Sequence, residues 1–538
     1  MRKEIDTIGL EEFHRVEEKL LNTKNSEIPK NRELSPLLNF RKSRRLSTPK
    51  STLVAVVAVF VSLVGIMSVR GGLSATPARG KIKHVLLISL DGLHALDLAN
   101  FVKSNPQSNL AQLSSRGITY TQASTSKPSD SFPGLMSIVT GGSPISTGLW
   151  YEGAYARDLS PADSDCKTIG TDIVWDSGID RNKKQVDGGG IDPAKLPRDP
   201  AKGCSPVYPH DYLRVNTIFE IVHQAKMHTA WVDKHPSYEM VNGPSGEGVE
   251  DLFTPELAAS GASRDVKAAE IFDDKKIEAV LNEINGKDHT GSKDAPTPNL
   301  FGTSLQAFSM GQKLGGYTDE MGTAGDVLWE TLRHTDESIG KLMAALRRRN
   351  LEDSTLVIVT SKHGESPMDP RKRQLIADTI LEGIMKTAHP GALKFAYQDG
   401  DIASIWLKDH GQTQKVVDTL SKPENESATD VEEILAGESL KLMFNDPLHD
   451  SRTPDILLVP RLGGLYMEAD TKFLAEHGGF HKQDINVALL LAGPGLRPQV
   501  IKTPVQTTQI APTILRVLGL NPQALQAVDK EKTRELPE

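Results

Sequence analysis

Val85-Leu86-Leu87-Ile88-Ser89-Leu90-Asp91-Gly92 decides the reading of this chain. Its near-continuous aliphatic run is the pattern of a strand buried on both faces of a parallel sheet, not the alternation of a half-solvated one. The run stops on an acid and a glycine. Ligands of open α/β sheets gather beyond the carboxyl ends of strands, so Asp91 stands where a functional carboxylate belongs. A second apolar strand at residues 354–360 ends on Thr360-Ser361-Lys362-His363-Gly364 and places His363 at an equivalent position.

Outward from these two strands, helical periodicity at 96–102, 109–116, 132–140, 213–224, 326–349 and 508–518 alternates with apolar runs at 229–232, 456–459 and 487–491. This alternation predicts an α/β fold, a three-layer sandwich around a largely parallel central sheet. Residues 152–211 lack periodic apolar positions and read as a long ordered excursion. Cys166 and Cys204, the only cysteines, would staple it if they pair; two buried free thiols are the other reading. A second less regular stretch, 408–454, carries the glycosylation sequon Asn425-Glu426-Ser427. No repeat of solenoid period is present.

At 538 residues, with 38% hydrophobic and 25% charged side chains, the chain buries a large core. Its formal charge of -8 supplies no polybasic field, so no nucleic-acid polymer is expected as a partner. Residues 1–50 read as a disordered cytosolic tail. Residues 51–69 are uncharged and apolar all round, long enough to span a bilayer core of about 30 Å. They lie too far from the N-terminus for a cleaved signal peptide and read as a signal anchor. Arg41, Lys42, Arg44, Arg45 and Lys50 precede the span, whereas Arg70 and Arg79 follow it. The positive-inside rule then makes a single-pass type II membrane protein, with a linker at 70–80 and a luminal or extracellular globular part at 81–538.

Pro128-Ser129-Asp130-Ser131-Phe132-Pro133-Gly134 places hydroxyls at the start of a helix, where free N-H groups and the positive dipole end favour a phosphate and a developing alkoxide. Ser131 is the natural nucleophile. An ordinary helix cap is the bland reading of the same residues. The Ser-His-Asp hydrolase alternative lacks a Gly-x-Ser-x-Gly turn around Ser131. The sulfatase alternative lacks the Arg that should follow the Pro.

The order Asp91-Gly92, Ser131-Phe132-Pro133, Lys362-His363-Gly364, Glu476-His477-Gly478-Gly479 resembles the type I phosphodiesterase/nucleotide pyrophosphatase family of the alkaline phosphatase superfamily. His235-Pro236-Ser237-Tyr238-Glu239 and Gln509-Ile510-Ala511-Pro512-Thr513 support the likeness, which runs over about 81–537. In that family two zinc ions clamp an in-line phosphoryl displacement. The resemblance implies that Asp91, Ser131 and His363 bind one ion, that His477 binds the second or holds phosphate, and that Ser131 replaces the usual Thr nucleophile. His481 is set aside, because Gly478 and Gly479 argue against one helical face.

The chain departs from the family where the metals sit. Lys362 replaces a carboxylate ligand, Phe308 and Gln312 stand at the positions of an Asp and a His ligand, and Gly134 replaces a phosphate-contacting Asn. Asp91 and Lys362 cancel in charge, so one divalent ion, expected to be zinc, restores a cationic field with Lys362 as a fixed charge beside it. The expected activity is hydrolysis of a small phosphodiester or nucleotide pyrophosphate through a phosphoseryl intermediate. A pseudoenzyme or membrane-tethered binding protein of the same fold is the alternative.

Overall fold

The computed structural model describes residues 82–538, which belong to one compact unit. The tail, signal anchor and linker expected at 1–80 lie outside the described residues. Among those described, no helix is long and apolar enough to cross a membrane.

The main sheet has nine strands: β1 (His84–Leu90), β2 (Gly117–Ser124), β3 (Ala230–Val232), β4 (Asp251–Phe253), β5 (Leu300–Leu305), β6 (Thr355–Thr360), β7 (Asn486–Ala492), β8 (Gln499–Ile501) and β9 (Val505–Gln506). Their order is β8-β2-β7-β6-β1-β5-β3-β4, with β9 also on β2. Only β7 runs against its neighbours, so the sheet is mixed but largely parallel, as predicted.

Both faces are covered, because β1 alternates its side chains between two cores. Val85 and Leu87 pack with α2 (Ser131–Thr140) and α6 (Ile510–Val517). Leu86, Ile88 and Leu90 pack on the other face with α1 (Ala95–Ser104), α3 (Val266–Ile284), α4 (Ala307–Leu314) and α5 (Asp326–Arg348). All five side chains are fully buried. Each contributes about 1.5–3 kcal/mol of burial, which is why β1 holds the residue that follows it so firmly.

Two expectations are refined and the ordered excursion is as expected. The helix expected from 213 begins only at Ile218, because Thr217 caps it by accepting from the Glu220 N-H and receives the Glu220 carboxylate on its own N-H in return. The region 408–454 is not irregular. It supplies helices and the strand Val431–Ala436 to a four-stranded antiparallel sheet with Leu393–Asp399, Ile402–Leu407 and Ile456–Pro460, built on its own apolar clusters. Asn425 of the sequon lies in the helix Pro423–Thr429, where its amide donates to the Thr419 carbonyl at 2.8 Å. The excursion after Glu152 is ordered and stapled by a Cys166–Cys204 disulfide.

Candidate active site

Four neighbouring parallel strands deliver the site from their carboxyl ends: β6, β1, β5 and β3. Asp91 follows β1, Lys362 and His363 follow β6, Gln306 follows β5, and Asp233 and Lys234 follow β3. Ser131 enters from the first turn of α2, whose N-cap Asp130 accepts from the Phe132 N-H at 3.2 Å.

Ser131 Oγ lies 3.2 Å from His363 Nε2 and 3.3 Å from Lys234 Nζ. His363 Nδ1 is 3.0 Å from the Gly364 carbonyl, which can only accept, so the ring proton sits on Nδ1 and Nε2 presents its lone pair to the serine hydroxyl. Burial pushes the imidazole down to about 3, with the Lys234 and Lys362 ammoniums adding to this against the pull of Asp91. His363 is therefore a neutral acceptor at neutral pH.

Asp91 is almost wholly buried, and its Oδ2 is crowded by donors. Oδ1 accepts from Ser304 Oγ at 3.1 Å; Oδ2 accepts from Gln306 Nε2 at 3.1 Å and faces Lys362 Nζ at 3.4 Å and Lys234 Nζ at 3.5 Å. Burial alone would raise this carboxyl, but the Lys362 and Lys234 ammoniums hold it well below the usual range. Lys362 is fully buried, 3.5 Å from Asp233 Oδ1 and 4.7 Å above the Tyr238 ring. The ammonium that reaches Ser131 thus belongs to Lys234, while Lys362 sits between Asp91 and Asp233.

His477 stands beside His363, ring centroids 4.0 Å apart. Burial, then the neighbouring His363 and Lys313, lower its basicity well below the ordinary value. His481 is elsewhere, its Nε2 donating to the Pro460 carbonyl at 2.8 Å. Phe308 is buried in the apolar core behind α4, and Gln312 donates to the Gly92 carbonyl at 2.9 Å and to Tyr317 Oη at 2.8 Å. Both positions are spent on packing and on holding the Asp91-Gly92 turn.

Gly134 has a steric reason. A Cβ there would lie 2.1 Å from the Lys362 carbonyl oxygen, so the start of α2 is pressed against the backbone of the β6 end. The same closeness brings Ser131 to His363.

The sequence reading missed Asp233, Lys234, Gln306 and Lys276. Lys276 is fully buried on α3, 2.8 Å from Asp273 Oδ1 and 2.5 Å from the Ser304 carbonyl, and it also donates to Gln306 Oε1. That bond turns the Gln306 NH2 toward Asp91. For Asp233 and Lys234 a signal existed, since they follow directly on the strand predicted at 229–232.

The residues present do not fit the family's metal pair. Asp91 and His363 converge with Ser131, but the second carboxylate is an ammonium, and a further ammonium from Lys234 lies against Asp91. Asp91 and Asp233 already face lysine ammoniums, so a divalent ion beside them would meet two fixed cations while giving up its hydration. The nearby Glu365 is fully buried, which raises its carboxyl well above the ordinary range. At the second position His477 stands without Asp or His partners from α4. Among the described residues, no group of three or more His, Cys, Asp or Glu side chains is placed to hold a metal ion.

Comparison with solved structures gives the same fold. Murine ectonucleotide pyrophosphatase/phosphodiesterase 5 superposes with a TM-score of 0.54 at 16% identity, over 82% of this chain and 96% of that one. An inactive variant of the murine protein in complex with AMP gives the same values. Its human counterpart gives a TM-score of 0.53 at 15% identity, over 81% and 95% of the two chains. No curated protein matches the chain by sequence. Residues 85–484 match the profile of one family, a span that includes Asp91, Ser131 and His363. The chain belongs to the type I phosphodiesterase / nucleotide pyrophosphatase family.

Proposed function

We propose that this chain hydrolyses a phosphodiester or nucleotide pyrophosphate through a phosphoseryl intermediate at Ser131. The observation that carries the reading is the 3.2 Å approach of Ser131 Oγ to the lone pair of His363 Nε2 at the N-terminus of a ten-residue helix. Murine ectonucleotide pyrophosphatase/phosphodiesterase 5 binds AMP in its inactive variant, which supports a small phosphoester as substrate.

In this reading Ser131 Oγ gives its proton to His363 Nε2 and attacks phosphorus, and the bond to the leaving oxygen breaks opposite. An imidazole held at about 3 accepts that proton only once the phosphate anion is beside it, since a nearby negative charge raises its basicity. Water then attacks phosphorus, losing its proton to the departing oxyanion or to solvent as the bond forms, and Ser131 departs, recovering its proton from His363. Lys234 supplies positive charge to the phosphate oxygens throughout, beside the α2 N-terminus. The family is generally dependent on divalent metal, which the ammonium-filled site of this chain does not fit.

The test is release of nitrophenolate from bis(p-nitrophenyl) phosphate and from the p-nitrophenyl ester of AMP. Ser131→Ala is expected to abolish both. Full turnover by Ser131→Ala contradicts the assignment.

One observation favours a second reading, a phosphate-binding pseudoenzyme: the same low basicity of His363, combined with a Lys362 held between Asp91 and Asp233. It predicts binding of AMP without turnover of either ester. We also propose that residues 51–69 anchor the protein in a membrane with 81–538 outside the cytosol, which protease protection of the full chain in sealed vesicles tests.

A further inference from the structure

We propose that this site takes its phosphate on the Lys234 ammonium and the α2 N-terminus without a divalent ion, and that Lys234 is a catalytic residue. This rests on the reading of Ser131 as the group that meets phosphorus.

The argument begins with which acceptors are left. Gln306, Lys234 and Lys362 crowd Asp91 Oδ2 at 3.1–3.5 Å, and Ser304 donates to Oδ1 at 3.1 Å. Behind it, Lys276 fixes the Gln306 amide by donating to Oε1, so the NH2 facing Asp91 cannot flip to offer an oxygen. An ion at Asp91 Oδ2 would have to displace the fixed Gln306 amide or sit against two ammoniums. The second ion position has lost its side chains to the core at Phe308 and to the Gly92 carbonyl at Gln312.

The two ammoniums differ in what they reach. Lys362 is sealed between Asp91 and Asp233 and offsets one of their two charges. Lys234 retains 14% side-chain exposure and touches both Asp91 Oδ2 and Ser131 Oγ, so it faces the space into which a phosphate must come. Lys234 offsets the remaining carboxylate charge, so the positive field left over for a ligand is that of the α2 N-terminus, which suits a single negative charge. The site therefore selects a monoanionic phosphodiester over a dianionic monoester, whose second charge would have no partner.

The experiment uses the full-length Ser131→Ala protein, which cannot turn over, and titrates it with bis(p-nitrophenyl) phosphate by calorimetry, in chelator and then in zinc. Elemental analysis of the same samples runs alongside. Binding is expected to be equal in both conditions and weaker by about 100-fold when Lys234→Met is added, while Lys234→Arg stays within about tenfold. Phenyl phosphate, as the dianion, is expected to bind at least about tenfold more weakly than the diester. Binding that requires zinc, or a stoichiometric ion lost with Asp91→Ala, overturns the inference, and so does Lys234→Met binding like its parent. Absence of binding in both conditions overturns it as well. If the Ser131 protein turns over no ester yet binds the diester in chelator through Lys234, the hydrolase reading fails and this inference stands.

Discussion

Asp130 caps the helix that carries Ser131. It is fully buried, with Oδ1 accepting from Phe132 N-H and Oδ2 without a partner. Burial pushes its carboxyl up from the ordinary 3.8 to about 6, against the pull of the Phe132 and Ser131 N-H groups and of Lys234 and Lys362. The folded value lies above the unfolded one, so folding takes up a proton between them. The stabilisation from this group is full below 3.8 and is lost as pH rises through about 6. At 1.36 kcal/mol per pH unit the whole gap is worth about 3 kcal/mol, of which about 1.4 kcal/mol falls between pH 5 and pH 8. Asp130→Asn keeps a good cap and cannot titrate. Urea unfolding of wild type and variant at both pH values isolates the group as a difference of differences. Wild type is expected to lose about 1.4 kcal/mol more than the variant on going to pH 8. Equal losses in the two proteins would refute the burial argument.

Further predictions concern neighbouring residues. Gly134→Asn, which restores the family residue, is expected to lower both stability and turnover, because its Cβ would strike the Lys362 carbonyl; a gain in turnover contradicts the close approach. Lys276→Met is expected to destabilise the fold by about 3–5 kcal/mol by leaving Asp273 buried without its partner, read as a fall in the unfolding midpoint. Opening the Cys166–Cys204 bridge with Ser at both positions, across a separation of 38 residues, is expected to cost up to about 4 kcal/mol. Limited proteolysis should then cut first within the excursion after Glu152. His363→Ala is expected to lower phosphodiester turnover by about 100-fold or more, while leaving diester binding by the Ser131→Ala background intact.

The sheet was legible where burial was complete. β1, β6 and β7 are continuous aliphatic runs, and each ends or begins at a recognisable turn. β2 escaped notice because Thr119, Thr121 and Gln122 break its apolar run where it passes between β7 and the short β8 and β9 strands. β5 escaped because Gly302, Thr303 and Ser304 interrupt it; Gly302 is required, since a Cβ there would lie 1.8 Å from the Leu87 carbonyl oxygen of β1. α3 was hidden by charge: Glu270, Asp273, Lys276 and Glu283 are all buried, so its inward face does not read as apolar.

At the site, the sequence singled out Asp91, Ser131, His363 and His477, and all of them converge. What it could not supply is which cation meets the nucleophile. Lys362 stands out because it replaces a motif residue, yet strand β6 buries it under Asp91. Lys234 drew no attention because its approach to Ser131 depends on β3 lying two strands from β1, a long-range pairing that no local pattern encodes.

The most direct test is to quench the protein with acid during turnover of bis(p-nitrophenyl) phosphate and weigh the peptide that carries Ser131. A nitrophenyl phosphate ester on Ser131, absent from Ser131→Ala, is the predicted result. Turnover that leaves this peptide unmodified and persists in Ser131→Ala would contradict the account.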